Sequence, residues 1–239
     1  MLISMQPRLL ALFVTFLPLF AINAAYIISV NAELVPRCIP YIEGCTSISR
    51  AARQGEAVFL FRASMIVHAV LLMWYWRFAQ CWLNNLRADQ TLNRGNRSAQ
   101  LMCFLGVVGA FFLILYADYL GTSGDFYRFM RRYGVIFYFT FTPLAQLIMV
   151  SQLYKLKKSA PELDIKISIL RYQLGVLLLI LLLGLISLLL GYLYGSSFER
   201  ENIVEWNYAL LLTAYFGGSM LMWKNLRWKL SYKTNTLSG

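Results

Sequence analysis

The chain has 239 residues, 59% of them hydrophobic and only 14% charged, with a formal net charge of +11. Soluble domains of this size carry about 25% charged residues, so an ordinary soluble fold is excluded. The positive charge is not a nucleic-acid signature either, because its distribution follows the membrane topology developed below.

A hydrocarbon core of about 30 Å takes about 20 apolar residues per helix, and six runs of that kind are present. The first extends from about Leu9 to Val30. Arg8 ahead of it and small residues at its end also suit a signal peptide, but the run exceeds the 7–15 residues or so of a signal's apolar region. A polar loop, Asn31 to Glu56, leads to a second span over Ala57 to Trp82. A loop rich in Asn and Arg, Asn84 to Arg97, precedes the third span, Ser98 to Leu120. An aromatic and basic loop, Gly121 to Tyr133, precedes the fourth, Gly134 to Tyr154. The fifth, Ile167 to Tyr194, holds the most apolar stretch, and the sixth covers Trp206 to Trp223 before a basic tail. Backbone amides find no water in lipid, so each span must bond internally as a helix. The runs are too long for barrel strands of about 10 alternating residues. The expected fold is therefore all-α, one transmembrane domain over residues 1–239: a six-transmembrane-helix bundle with short loops, kinked at Pro18 and Pro143.

Charge fixes the expected orientation. With the N-terminus inside, the inner flanks hold fourteen of the 22 basic residues, all seven lysines among them, against three acids. The outer flanks hold eight arginines and eight acids. Translocated short loops avoid Lys and Arg, so both termini are expected to be cytoplasmic. The membrane would be the plasma or inner membrane in a bacterium, and Golgi, ER or another endomembrane in a eukaryote. Cys38 and Cys45 both fall in the first outer loop, where they could form a disulfide or stay as free thiols. The sequon at Asn96 falls on the inner side and is expected to be silent.

Ionisable groups at membrane depth are costly and mark candidate sites. Arg62, His68 and Asp118 lie in or near spans on the outer half, Glu205 opens the last span, and Arg131 and Arg132 precede the fourth. Each also has a plain reading, as a snorkelling or dipole-paired charge. His68, the single histidine, sits near mid-span, either as a neutral imidazole bonded to a neighbouring helix or as a general base. One histidine with scattered carboxylates does not suit a metal hydrolase, so no metal and no cofactor are expected. There is no phosphate-binding Gly-rich loop and no Gly-x-Ser-x-Gly elbow. Ser47 or Ser49 with His68 and Asp118 would make a nucleophile trio only on paper.

Ser47-Ile48-Ser49, followed by Phe61-Arg62 and by His68 six residues later, resembles the family containing the post-GPI-attachment-to-proteins factors, the FGF-receptor-activating protein and the damage-regulated autophagy modulators. Pro40-Tyr41-Ile42, Gly134 to Phe139 and Glu205-Trp206 are similar to further motifs of that family. The chain departs from it at Arg131, where relatives often carry His, and in the last span, which reads FGGSMLMW where the GPI-processing branch has Asn and His. The resemblance implies six helices and lipid handling, with GPI-anchor remodelling in one branch and lipid organisation in others. On it, Ser47, Ser49 and His68 would be catalytic, while Arg62, Glu205, Asp118 and Arg131 would hold membrane lipid, with an anionic headgroup as the expected partner. The alternatives are a non-catalytic lipid scaffold and, less favoured, a small-solute transporter, since few polar residues face the midplane.

Overall fold

A computed structural model describes residues 3–88 and 97–230. The inner loop residues Asp89 and Arg94, the sequon at Asn96, and Lys233 and Ser238 of the tail lie outside the described residues. The long helices follow the apolar runs. They are α1 (Pro7–Asn31), α4 (Ala57–Ala88), α5 (Arg97–Asp118), α6 (Asp125–Ser159), α7 (Ile167–Tyr194) and α8 (Phe198–Met222). Two single-turn helices, α2 (Pro40–Glu43) and α3 (Ile48–Ala51), lie between α1 and α4. A short antiparallel pair, β1 (Ile3–Met5) with β2 (Trp228–Leu230), joins the two ends of the described chain, in register Ser4 to Lys229. The all-helical expectation is thus met apart from this pair. Five helices, α1 and α4 to α7, are long and apolar enough to cross a membrane. The sixth, α8, is 25 residues long but carries Glu199 and Glu201 in its first turn.

Pro7 opens α1, where its missing N–H costs nothing. Pro18 and Pro143 both sit inside helices that run on through them. The helices pack in the order α6, α5, α4, α1, α8, α7, an arc that closes only loosely between α7 and α6. Small residues set the closest approaches. A methyl group placed at Gly134 of α6 would come within 2.9 Å of the Tyr116 backbone nitrogen and 3.0 Å of the Phe112 carbonyl on α5. Gly109 of α5 meets the Thr142 hydroxyl in the same way. Close backbone approach at glycines is how helices gain dispersion contact where lipid removes the hydrophobic drive.

The core is densest toward the lysine-rich end. Tyr75, Trp76, Phe216 and Trp223 are fully buried, with Tyr75 in contact with each of the other three: ring centroids are 5.1 Å from Trp76, 4.8 Å from Phe216 and 4.9 Å from Trp223. A polar chain stitches four helices there. The Tyr75 and Ser219 hydroxyls bond at 2.6 Å, Gln173 donates to Ser219 at 3.2 Å, and Gln146 donates to the Leu212 carbonyl at 3.0 Å. Such bonds hold helices in register where water cannot compete.

The loop between α1 and α4 folds down onto the bundle. Asn202, Trp206 and Asn207 of α8 donate side-chain hydrogen bonds to the carbonyls of Gly44, Thr46 and Tyr41 at 2.7, 2.8 and 2.8 Å. Ser29 of α1 bonds the Ala51 carbonyl at 2.5 Å. The Tyr26 hydroxyl donates to the Cys38 carbonyl and accepts from the Cys38 amide, each at 2.8 Å. A Cys38–Cys45 disulfide closes this clasp. Val35 and Ile48 are buried by it, but Leu34, Ile39 and Ile42 stay exposed. Burial pushes the Tyr41 hydroxyl's pKa up, partly offset by its bond with Asn23.

One helix is unlike the rest. α7 buries Ile169, Leu170, Gln173, Val176, Leu177 and Ile180, and nothing from Leu181 to Tyr194. Its second half stands clear of α6.

Candidate functional site

Ser47 caps α3, its hydroxyl accepting from the Arg50 amide at 3.1 Å, and lies 3.4 Å from the Ser49 hydroxyl. The cap points Ser49 and the first amides of α3 toward α8. Glu205, in the second turn of α8, meets them: its carboxylate faces the backbone N–H groups of Ile48 and Ser49 and lies in electrostatic reach of Arg53. The Tyr116 hydroxyl, from α5, is in hydrogen-bonding reach of the Ser49 side chain and senses the charges of Glu205, Arg53 and Arg131. Arg53 is itself held by donating to the Ser49 carbonyl at 3.1 Å. Ser47, Ser49, Tyr116, Glu205 and Arg53 thus form one cluster under the loop.

Glu205 and Tyr116 sit at the junction of two spaces. Beneath them is a narrow, largely apolar pocket of about 40 Å³, walled by Pro18, Phe61, Met65, Leu113 and Tyr138 among others. That is room for a water or two. Beside them is a wider cleft of about 380 Å³, which opens between α6, α7 and α8 and is lined by Ser49, Tyr116, Ser187, Glu201, Glu205 and Tyr208, with Val135, Ile136, Phe139 and Val204. Phe139 and Tyr208 also border a third space, an apolar slot of about 440 Å³ between α6 and α7. Its α7 wall runs from Leu174 to Leu188, fourteen helical steps and so about 21 Å. The α6 wall includes Pro143, Leu144 and Leu147. The slot lies along α7, and it adjoins the polar cleft at Phe139 and Tyr208, whose rings are 4.9 Å apart.

The residues singled out in the sequence are only partly brought together. Ser47, Ser49 and Glu205 share the cluster. Glu205 does not open its helix, however, because α8 begins at Phe198. Likewise Arg131 does not precede the fourth helix but stands in its second turn, because α6 begins at Asp125. Arg62 makes no ion pair with Glu205 or Asp118. Arg62 instead forks both Nε and Nη2 onto the Leu120 carbonyl, just beyond the end of α5. Free carbonyls at a helix end are ready acceptors and carry the negative end of the dipole. Arg131 is used in the same manner, donating to the carbonyls of Tyr119 and Thr122 at 3.1 and 2.5 Å. Asp118 is exposed at the end of α5. Among the described residues the ion pair found is Arg128 with Asp125, at 3.7 Å.

His68 is fully buried, neither ring nitrogen has a hydrogen-bond partner, and it lines none of the three spaces above. The expected bond to a neighbouring helix is therefore not made. No group of three metal-binding side chains occurs among the described residues. Sequence reasoning missed Tyr116, Arg53 and Glu201. The available signal was the hydroxyl of Tyr116, two residues before Asp118 and on the opposite, buried face.

Comparison with known proteins returned no matching family model, no matching curated relative and no matching solved structure.

Proposed function

We propose that this chain is a multi-pass membrane protein that binds a membrane lipid from the side, through the opening between α6 and α7. The carrying observation is that a polar cleft holding Ser49, Tyr116 and Glu205 adjoins an apolar slot between α6 and α7, the two sharing Phe139 and Tyr208 as wall residues. One leaflet's hydrocarbon is about 15 Å deep, half of the 30 Å core. The slot of about 21 Å accommodates an acyl chain of that reach, and the cleft takes the headgroup. In this reading α8 is the sixth span, both termini are cytoplasmic, and the disulfide loop covers the site on the outer side. The resemblance to GPI-processing and lipid-organising proteins supports lipid handling as the class of function. Remodelling chemistry has less support, since His68 lies away from the cleft, so lipid binding without turnover is the favoured form. A solute pathway is disfavoured because the inner half of the bundle is packed with Tyr75, Trp76, Phe216 and Trp223.

The test is photo-crosslinking in bilayers with a phospholipid carrying a diazirine in its acyl chain, followed by mapping of the labelled peptides. Labels concentrated on Thr140 to Leu147 and Leu174 to Leu188 are expected, and Leu181→Trp, which fills the slot, should remove most of them. Labels spread evenly over the lipid-facing surface, including Phe13, Phe16 and Phe20 of α1, would defeat the reading.

A further inference from the structure

The lining of the polar cleft has a consistent sign. Two carboxylates, Glu201 and Glu205, and four hydroxyls, those of Ser49, Tyr116, Ser187 and Tyr208, face it, and no Lys or Arg does. The cations that would have received an anionic headgroup are occupied elsewhere. Arg62 and Arg131 are spent on backbone carbonyls. Arg200, next to Glu201, donates to the Leu190 and Gly195 carbonyls at 3.2 and 2.6 Å. Arg53 lies beyond the cleft wall, bonded to the Ser49 carbonyl. A phosphate entering the cleft would meet the Glu201 carboxylate and the carboxyl group of Glu205, the latter partly offset by Arg53, in a setting where apolar walls of Val135, Ile136, Phe139 and Val204 weaken screening.

On the lipid-binding reading above, we propose that the cleft recognises the primary ammonium of an ethanolamine-type phospholipid headgroup, through Glu205 and Glu201. A primary ammonium offers three N–H donors, matched by the carboxylates and by the Ser49, Ser187 and Tyr208 hydroxyl oxygens. Charge-assisted bonds of this kind are about twice as strong as neutral ones. A choline headgroup carries the same charge but has no N–H to give, so it leaves the carboxylates unbonded. A glycerol headgroup brings hydroxyls but a net negative charge. The headgroup phosphate of the bound lipid would stand at the outer rim, on the side of Arg53, whose charge already reaches Glu205. The chemistry that selects the lipid is thus the reverse of the anionic recognition expected from the arginine-rich sequence.

The experiment is native mass spectrometry of the full chain, released from nanodiscs that contain equal parts of phosphatidylethanolamine, phosphatidylcholine and phosphatidylglycerol with identical acyl chains. Ethanolamine-lipid adducts should exceed each of the others by about tenfold, the value of a charge-assisted bond. Glu205→Gln should reduce that excess to near parity. Glu201→Lys, at an exposed rim position that folding tolerates, should lower the ethanolamine adduct and raise the glycerol adduct. Equal retention of the three lipids, a choline or glycerol preference in the natural chain, or an unchanged preference in both variants would overturn the proposal. Failure of the underlying reading looks different: no lipid is retained, or retention is unaffected by Leu181→Trp.

Discussion

At the scale of single residues, the chain shows how a polar group in a membrane finds a partner that a sequence does not display. Arg62 was legible as a costly ionisable group at membrane depth, while the partner that satisfies it was not. The acceptor used is a backbone carbonyl, which every residue carries and no pattern marks. Glu205 was legible as an acid near the last span, whereas Tyr116 was not, because a tyrosine near a span end also reads as an interfacial anchor. His68 presents the opposite case. Its imidazole is fully buried with both nitrogens unbonded, and an unmade buried hydrogen bond costs about 1–3 kcal/mol. His68→Leu, similar in bulk and without polar atoms, is therefore expected to leave lipid retention intact and to raise stability by about 1–2 kcal/mol. Thermal unfolding in detergent measures it; loss of lipid binding by a stably folded variant would show that the ring serves the site after all.

At the scale of elements, the apolar runs marked where helices lie but not where they end. α6 begins nine residues before the apolar run at Gly134, because the aromatic and basic stretch from Asp125 to Tyr133 continues the same helix. α8 likewise begins at Phe198, its first turn carrying the two glutamates that a helix N-terminus favours. The single turns α2 and α3 were not legible, since four residues are too few for a period. The α5–α6 contact is the most sensitive of these features to bulk. Gly134→Ala would press a methyl against fixed backbone atoms at 2.9 and 3.0 Å, and overpacking of this kind costs about 1–3 kcal/mol. Gly175→Ala on α7, with open space around it, is the matched control and should be neutral within about 0.5 kcal/mol. Equal melting temperatures for the two variants would contradict close packing at Gly134.

At the scale of the whole molecule, the bundle's orientation rests on charge asymmetry, with all seven lysines assigned to one face. Membrane-impermeant thiol labelling checks it in a chain whose natural cysteines are replaced by serine. Ser123→Cys, in the turn between α5 and α6, should label from outside, and Ser238→Cys should label only after permeabilisation. The reverse pattern would invert the bundle and put the disulfide loop inside. The last helix, α8, was legible in its apolar half alone, and it is not among the five helices long and apolar enough to cross a membrane. The arrangement of the helices around the arc was not legible at all, because nothing in α7's uniformly apolar run separates its packed residues up to Ile180 from its bare ones beyond. That bare half has a pharmacological meaning. A compound aimed at the slot beside it must first dissolve in the leaflet, so its apparent potency will track its membrane partition coefficient. Each added methylene is worth about 0.8 kcal/mol of partitioning, or about fourfold in local dose, before it makes a single contact with the protein.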